Sequence, residues 1–328
     1  MKAVFISEPG GRLEVRETAI PEPGPGEVLV RMLAAPVNPS DLSRIREAHL
    51  YNDLITFIPG LEGSGVVVAS GKGILPAMWK GKRVACSATR PESGTWSEYM
   101  VTGAGSCFPL RKTVSDEQGS MSIVNPLTAL AFIETAKKGK HRAIINNAAA
   151  GSLGRMLEFL CRRENITLIN IVRSRSNMEL LVQNGSCCVL NSSEPAFYSE
   201  LKKLSEALKA TLMFYSAGGE NFSSIIESIP HGSSVVIYGS LSDDEYVQIN
   251  PRKLLANDIK ISGFYLGSYA KRNGMIRNII NLRKTGILMS RGMTVLIRER
   301  YPLENVQEAV DSYLENMTAG KVILQPWS

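Results

Sequence analysis

Residues 143–175 combine the residue types and the spacing that a dinucleotide-binding turn needs. An apolar run leads into a turn of small residues at 148–154, and a helical pattern and a second apolar run follow. Small residues let backbone amides approach a pyrophosphate lying over the positive end of the next helix. Gly151 and Gly154 meet this need, while Ala149 stands where the first glycine of the usual pattern is expected. Tight packing of a helix on a strand is the alternative explanation for small residues here.

Two arginines follow the second apolar run. A site for the non-phosphorylated cofactor usually has an acidic residue there, which binds the ribose hydroxyls. Here the neighbourhood holds Arg173 and Arg175. A guanidinium offers charge-assisted donors to a phosphate, so the pattern favours NADP(H) over NAD(H). Two solvated surface cations are the competing interpretation, since exposed arginine is common.

Composition limits the classes of protein to consider. The 328 residues are 44% hydrophobic and 21% charged, which is ordinary for a globular enzyme of two domains. No apolar run approaches the roughly 20 residues of a membrane span, and the chain opens with a strand-like segment rather than a signal sequence. We therefore expect a cytoplasmic protein without membrane contact.

The basic residues, cysteines and histidines give little indication of nucleic-acid or metal binding. The net charge is +6, but the basic residues are scattered, and the densest group, at 137–142, most simply caps a helix end. That group lacks interleaved aromatic residues, which disfavours nucleic-acid binding. The five cysteines show no Cys-x-x-Cys spacing, and none of the three histidines lies near a cysteine in sequence. We expect reduced thiols and no metal site.

The pattern of elements changes along the chain. Short strands broken by glycine and proline fill the first part, which indicates a compact β-rich domain. From about residue 119, longer helices alternate with buried strands, which predicts a doubly wound parallel sheet of the α/β class. The strands expected in this sheet cover residues 144–146, 167–172, 187–190, 212–215 and 235–238.

The tail after residue 264 is too short to form a domain of its own, so we expect it to complete the first one. Its predicted elements are a helix over 274–284, a strand over 293–299, a helix over 302–316 and a strand over 321–324. The expected domains are therefore 1–118 with 265–328, and a dinucleotide-binding domain at 119–264.

Short motifs along nearly the whole chain resemble the medium-chain dehydrogenase/reductase superfamily, specifically its zinc-independent branch of quinone oxidoreductases and 2-enoyl thioester reductases. Besides the 143–175 unit, the motifs are VNPSD at 37–41, GLEGSGV at 60–66, NPLTA at 125–129, VIYGSLS at 236–242, GFYL at 263–266 and GKVIL at 320–324. Each is short, but their order and spacing together are specific. The resemblance implies a Rossmann cofactor domain and a GroES-like catalytic domain.

Zinc-dependent relatives place a cysteine three residues before the aspartate of the first motif, a histidine before the glutamate of the second, and a cysteine before NPLTA. Here those positions hold Asn38, Leu61 and Val124. One amide and two alkane side chains cannot make a zinc site, so we expect zinc-independent chemistry. The four-cysteine structural lobe of those relatives is missing as well.

The resemblance also implies roles for particular residues, and NIVRSR at 170–175 with the NPLTA segment looks closest to the enoyl thioester reductases, which use NADPH. Lys321 is expected to approach the cofactor from the returning tail. The other residues expected to contact the cofactor are Asn125 and Thr128 near the nicotinamide, Ala150, Gly151, Ser152, Leu153 and Gly154 at the pyrophosphate, Arg173 and Arg175 at the 2′-phosphate, and Tyr238, Gly239, Ser240 and Phe264 along the ribose.

Enoyl reductases of this type carry a tyrosine eight residues after the aspartate of the first motif. Counting from Asp41 reaches His49, while Tyr51 lies two residues further. Either side chain can donate a proton to an enolate, and packing of Tyr51 on the barrel rim is the alternative. Asn38, together with Tyr51 or His49, is a candidate hydrogen-bond donor to the developing enolate.

The expected reaction is hydride transfer from NADPH to an activated C=C bond of a 2-enoyl thioester or an enone. Without zinc, catalysis depends on positioning and on hydrogen-bond donors at the developing enolate. An NADPH:quinone oxidoreductase and a catalytically inactive NADPH-binding protein are the two alternatives. We also expect a homodimer, with the strand at 259–261 and its continuation to 264 at the edge of the cofactor sheet.

Overall fold

The computed structural model describes residues 1–6, 11–47, 57–90, 92–219, 221–242 and 246–328. His49 and Tyr51, the two candidate proton donors, lie outside these ranges. The chain forms two compact units, one of Met1–Leu127 with Asn273–Ser328 and the other of Thr128–Arg272. The boundaries between the units lie a few residues after 118 and 264, the boundaries expected from the sequence. Each observed boundary lies inside a helix.

The first unit is a β-rich fold that both ends of the chain build. Its central sheet has the strand order β14-β15-β3-β4-β5-β7, with β6 paired to β3, and β1 pairs with β2. The elements are β1 Lys2–Ile6, β2 Leu13–Glu17, β3 Glu27–Pro36, α1 Pro39–Arg46, β4 Glu62–Ser70, α2 Ile74–Trp79, β5 Arg83–Ser87, β6 Tyr99–Gly103, β7 Cys107–Pro109, α3 Asp116–Ser120, β14 Ile297–Tyr301, α11 Val306–Glu315 and β15 Lys321–Leu324.

The returning tail pairs with the strands of this unit. β15 pairs antiparallel with β3, with Ile323 opposite Pro36, and parallel with β14. Apolar residues of α11 and β15 pack in one cluster with Trp96 and residues of the first strands. This pairing brings Lys321, the first residue of β15, towards the segment that follows β3.

The second unit is a doubly wound parallel sheet with the strand order β10-β9-β8-β11-β12-β13. Helix α4, Val124–Lys138, leads into it. The other elements are β8 Ala143–Asn146, α5 Ser152–Glu164, β9 Thr167–Val172, α6 Arg175–Gln183, β10 Cys188–Asn191, α7 Phe197–Leu208, β11 Leu212–Tyr215, α8 Phe222–Glu227, β12 Ser234–Ile237, α9 Pro251–Ala256, β13 Lys260–Gly263 and α10 Leu266–Met289. All strands are parallel, but the order in which the chain adds them reverses between β8 and β11, and α/β folds bind their ligands at such a switch point.

One predicted element of the tail is wrong in its position. The strand expected over 293–299 begins only at Ile297. The backbone N–H of Val295 donates to Gln118 Oε1 at 3.0 Å, and its carbonyl accepts from Gln118 Nε2 at 2.8 Å. These bonds to a side chain replace those that a neighbouring strand would make. The helix expected over 274–284 is part of the longer α10, whose Gly274 has non-helical angles (φ 71°, ψ 170°).

None of the helices formed by the described residues is long and apolar enough to cross a membrane.

Candidate cofactor and active site

The turn between β8 and α5 has the close backbone packing that a pyrophosphate site requires. Gly151 is the N-cap of α5, whose amino end lies at the carboxyl end of β8. A Cβ atom on Gly154 would lie 2.2 Å from the carbonyl oxygen of Ala149, so only glycine fits there. Ala148 takes the left-handed conformation (φ 52°) that turns the chain. The amino end of α5 therefore presents backbone donors and a positive dipole end to an anion.

Arg155 lies on this turn, and the sequence analysis missed it. Its Nε donates to the carbonyl oxygen of Ala150 at 2.9 Å, and its backbone N–H donates to that of Gly151 at 3.1 Å. Partial burial lowers the pKa of the guanidinium, which nevertheless stays charged at neutral pH. A cation in the first turn of the helix, against the usual preference for acidic residues there, was the signal in the sequence.

A buried amide at the switch point of the sheet has a donor without a partner. Asn147 Oδ1 accepts from the backbone N–H of Ser216 at 2.8 Å, and these two residues directly follow the neighbouring strands β8 and β11. Its Nδ2 is buried and makes no hydrogen bond among the described residues. A dinucleotide lying at this edge of the sheet would supply an acceptor, so the site fits such a cofactor. The pair Asn146-Asn147, closing an apolar strand, was the sequence signal.

The two predicted phosphate-binding arginines follow β9 and differ in their surroundings. Both side chains are exposed. Arg175 Nε lies 3.2 Å from Glu179 Oε1 one helical turn further along α6. Ser174 caps α6 by accepting from the backbone N–H of Asn177 at 3.3 Å. Both positions are therefore accessible to an anionic group, and the phosphate contact stays a prediction.

The predicted ribose-contacting residues lie after β12 and β13. The backbone N–H of Tyr238 donates to Tyr215 at 2.9 Å, and that of Phe264 donates to Ile237 at 2.7 Å. The rings of Tyr238 and Phe264 both pack edge-on against Phe132, with centroids 5.0 and 5.3 Å away. Burial raises the pKa of Tyr238 to about 12, so its phenol keeps its proton at neutral pH. Gly239 and Ser240, which follow, are exposed.

The helix that carries Asn125 and Thr128 begins at a buried carboxylate. Glu62 Oε2 accepts from the backbone N–H groups of Ile123 and Val124, at 3.0 and 2.9 Å. Backbone N–H groups at the amino end of a helix have no acceptor within the helix, and a negative charge near them is favourable. The Glu62 carboxylate provides both for α4. Asn125 is half-buried, and Thr128 is buried one turn further on. Glu62 therefore fixes the start of the helix on which both predicted nicotinamide contacts lie.

Asn38 lies at the centre of a buried polar network in the first unit. Its Oδ1 accepts from Lys321 Nζ, which also donates to the carbonyl oxygen of Val37 at 3.0 Å. Its Nδ2 donates to Glu62 Oε1 at 3.1 Å, and its backbone N–H donates to Asp41 Oδ2 at 2.9 Å. All four of these polar side chains are at most 2% exposed. The ammonium of Lys321 thus has two protein acceptors, and its contact with the cofactor stays a prediction.

Burial shifts every charged group of this network. It lowers the pKa of Lys321 to about 8, against the attraction of two carboxylates. It raises the pKa of Asp41 to about 7 and also raises that of Glu62. One ammonium thus shares a buried space with two carboxyl groups. Such an arrangement is stable only because hydrogen bonds satisfy each group.

Comparisons with known proteins agree along the whole chain. The profile of the alcohol dehydrogenase GroES-like domain matches residues 24–112, and that of the zinc-binding dehydrogenases matches 152–281. A mitochondrial enoyl-[acyl-carrier-protein] reductase from Caenorhabditis elegans is 28% identical, over 90% of this chain and 86% of its own. The quinone oxidoreductase of Mus musculus is 25% identical, over 99% and 97%. The chain belongs to the medium-chain dehydrogenase/reductase superfamily.

Solved structures from the superfamily have the same fold. A protein from Mesorhizobium loti, described as a candidate NADPH:quinone reductase, superposes with a TM-score of 0.89 at 29% identity, covering 99% of this chain and 98% of its own. The Rossmann sheet and the GroES-like unit predicted from the motifs are therefore confirmed.

The residues at the three positions where zinc-dependent relatives have ligands all make hydrogen bonds to the buried network. Asn38 binds the Lys321 ammonium, the backbone N–H of Leu61 donates to Asp41 Oδ1 at 2.8 Å, and that of Val124 donates to Glu62. No three His, Cys, Asp or Glu residues of the described chain are grouped so that they could hold a metal ion.

Proposed function

We propose that the protein is an NADPH-dependent, zinc-independent reductase that delivers hydride to the activated C=C bond of a 2-enoyl thioester or an enone. The observation that carries this proposal is the Lys321 ammonium bound to Asn38, where zinc-dependent relatives have their first metal ligand. A fixed positive charge there opposes a metal cation. The enoyl reductases among the relatives support the substrate class.

The binding residues hold the two reactants in a productive geometry. NADPH, when bound, supplies the hydride. The amino end of α5 and Arg155 neutralise its pyrophosphate, while Arg173 and Arg175 distinguish its 2′-phosphate from the bare ribose of NADH. Asn125 and Thr128 orient the nicotinamide from the start of α4. Positioning of this kind supplies a large part of the rate enhancement when no metal takes part.

Asn38 stabilises the charge that develops on the substrate. Hydride adds to the β-carbon, the π electrons of the C=C bond form the enolate double bond between the α-carbon and the carbonyl carbon, and the π pair of the C=O bond moves onto oxygen. An amide nitrogen carries two hydrogens, and one of them on Asn38 goes to Glu62. The other can donate to the carbonyl oxygen. The Lys321 ammonium on Oδ1 polarises the amide and strengthens that donor.

A proton must then reach the carbon next to the carbonyl. Tyr51 and His49 remain the two candidate donors for this step. Either one balances the reaction, because it transfers one proton to the enolate and recovers it from solvent.

Reduction of quinones is the second candidate function. The mouse relative is named a quinone oxidoreductase, and it aligns over 99% of this chain. A histidine at position 49, where enoyl reductases have a tyrosine, also favours it, since a quinone needs no dedicated acid. We place either activity in the cytoplasm, where free thiols such as the five of this chain persist.

Steady-state oxidation of NADPH tests both functions. The panel contains trans-2-enoyl thioesters of several chain lengths, simple enones and 1,4-quinones, with NADH as the cofactor control. Preference for thioesters or enones is the expected result. Preference for quinones would promote the second candidate. Tight NADPH binding without turnover of any acceptor would contradict both and favour a catalytically inactive binding protein.

A further inference from the structure

Two adjacent cysteines form a pair of thiols on the second unit. Cys187 lies in the bend before β10, and Cys188 is the first residue of that strand. Adjacent residues of a strand point to opposite faces, but the bend brings these two Sγ atoms to 3.6 Å. Both thiols are free, and Cys187 is exposed. The reaction proposed above uses neither of them.

The other three thiols of the chain are far less accessible. Cys86, Cys107 and Cys161 are at most 4% exposed. Burial raises the pKa of all three, and it also raises that of the half-buried Cys188, to about 11. A reagent in solution therefore reaches the Cys187 thiol first, and Cys188 lies directly beside it.

The distance between the two Sγ atoms limits the geometry of any metal or metalloid atom that could bind both. Two bonds of about 2.3 Å, the length of a zinc–thiolate bond, span about 3.8 Å when they meet at a tetrahedral angle and about 4.6 Å when they are collinear. The observed 3.6 Å fits a bent centre and not a linear two-coordinate ion. The described residues offer no third His, Cys, Asp or Glu to complete a metal site.

We propose that Cys187 and Cys188 form a chelating site for a soft, thiol-seeking centre with two open valences, of which a monosubstituted trivalent arsenical is the matching class. Its third valence is filled by carbon, so two sulfurs complete it. In the reaction two As–S bonds form and two As–OH bonds break. Both thiol protons leave with the hydroxides as water, and arsenic keeps its oxidation state. Soft thiolate ligands suit such a centre.

Phenylarsine oxide tests the site on the full-length protein. Intact-mass spectrometry of the folded chain with one equivalent should show one phenylarsenic group per chain. The adduct should survive excess glutathione, a monothiol, and should be removed by 2,3-dimercaptopropanol. Chelation by two thiols is expected to exceed binding to one by on the order of 10²-fold or more.

Single substitutions separate the pair from the other thiols. Cys187→Ser and Cys188→Ser should each lose the glutathione-resistant adduct, whereas Cys161→Ala should keep it. Because Cys187 is exposed, its serine variant is expected to fold normally, which circular dichroism checks. An adduct that persists in both serine variants, or one that glutathione removes from the unsubstituted protein, would overturn the proposal. The result is independent of which acceptor the enzyme reduces.

Discussion

Lys321 is the residue on which the buried network of the first unit depends. Its ammonium binds Asn38 and Val37, lies 5.3 Å from the centroid of the Tyr313 ring, and is the cation that faces Glu62 and Asp41. A buried charge that loses its partner is costly because water cannot replace that partner. Lys321 therefore stabilises the first unit as well as orienting the proposed catalytic amide.

Lys321→Met should destabilise the protein by about 3 to 5 kcal/mol, the usual cost of leaving a buried charge uncompensated, because Glu62 and Asp41 lose the cation that attracts them. Adding Glu62→Gln removes a carboxylate that the first change leaves uncompensated. The double variant should therefore lose at least about 0.5 kcal/mol less than the sum of the single losses. Urea unfolding of the four proteins measures this coupling. Additive losses would mean that the two residues do not interact.

Asp41 should give the folding stability a specific pH dependence. Burial raises its pKa in the folded protein to about 7, above the value of about 3.9 expected in the unfolded chain. The stability that the protonated Asp41 carboxyl contributes is therefore fully present below about pH 4, and it is lost as the pH rises through about 7. Between these pH values the unsubstituted protein should lose stability relative to Asp41→Asn, whose amide does not titrate. Denaturation at pH 4.5 to 7.5 measures it, and a constant difference would contradict the expectation.

Arg173 and Arg175 should determine which cofactor is bound. Charge-assisted hydrogen bonds contribute about 1.5 to 3 kcal/mol each, so Arg173→Ala with Arg175→Ala should weaken NADPH binding by roughly tenfold or more. NADH binding should not change. Fluorescence titration of both cofactors makes the comparison, and Arg163→Ala serves as a matched control on another helix. Unchanged NADPH affinity would refute the phosphate-site assignment.

At the scale of elements, the turn between β8 and α5 should separate stability from cofactor binding. In Gly154→Ala the new methyl group would meet the carbonyl oxygen of Ala149 at 2.2 Å, so α5 must shift and the melting temperature should fall. In Gly151→Ala the nearest atom is 3.3 Å away and the backbone angles suit alanine, so the fold should persist. NADPH affinity should nevertheless fall, because the added methyl group lies at the amino end of α5, where the pyrophosphate is expected to approach the backbone. Thermal melts and NADPH titrations of both variants test this, and equal melting temperatures would contradict it.

The accuracy of the predicted elements follows from where their hydrogen bonds go. The strands at 167–172 and 212–215 were predicted to the residue, because apolar runs buried on both faces leave little ambiguity. The strand near residue 297 was misplaced because the side chain of Gln118, far away in sequence, makes hydrogen bonds to the backbone N–H and carbonyl of Val295. Local patterns contain no information about such a partner.

The candidate site likewise contains residues that the local sequence pattern predicts and contacts that it cannot predict. Gly151 and Gly154 were found from their spacing, and Gly154 has the crowded environment that the motif requires. The Lys321–Asn38 contact joins residues 283 positions apart, so no local pattern could reveal it. The role of Asn147 was missed as well, because two adjacent asparagines mark the end of β8 but do not show that the residue after β11 donates a hydrogen bond to one of them.

For the molecule as a whole, β13 is the strand on which we expect a homodimer to form. It is the last strand of its sheet, and within the described chain it pairs only with β12. Ser262 and Gly263 on it are exposed. An open strand edge favours pairing with a second copy, and twofold symmetry brings the same residues together.

Ser262→Lys should shift such a dimer towards monomer, because it adds like charges where two copies meet. Size-exclusion chromatography with light scattering at micromolar concentration measures the change. Ser199→Lys, at an exposed position on α7, is the control and should leave the dimer intact. Finding only monomer in the unsubstituted protein would sink the idea.

The buried ammonium also limits how this scaffold can be redesigned. Restoring metal ligands through Asn38→Cys, Leu61→His and Val124→Cys would place a divalent cation beside the charge of Lys321. The two cations would compete for the same carboxylates, so a fourth change that neutralises position 321 would have to accompany the other three. Conversion to a metal-dependent dehydrogenase is thus an exchange of one buried cation for another, and the order of substitutions matters, because each intermediate must keep its carboxylates compensated.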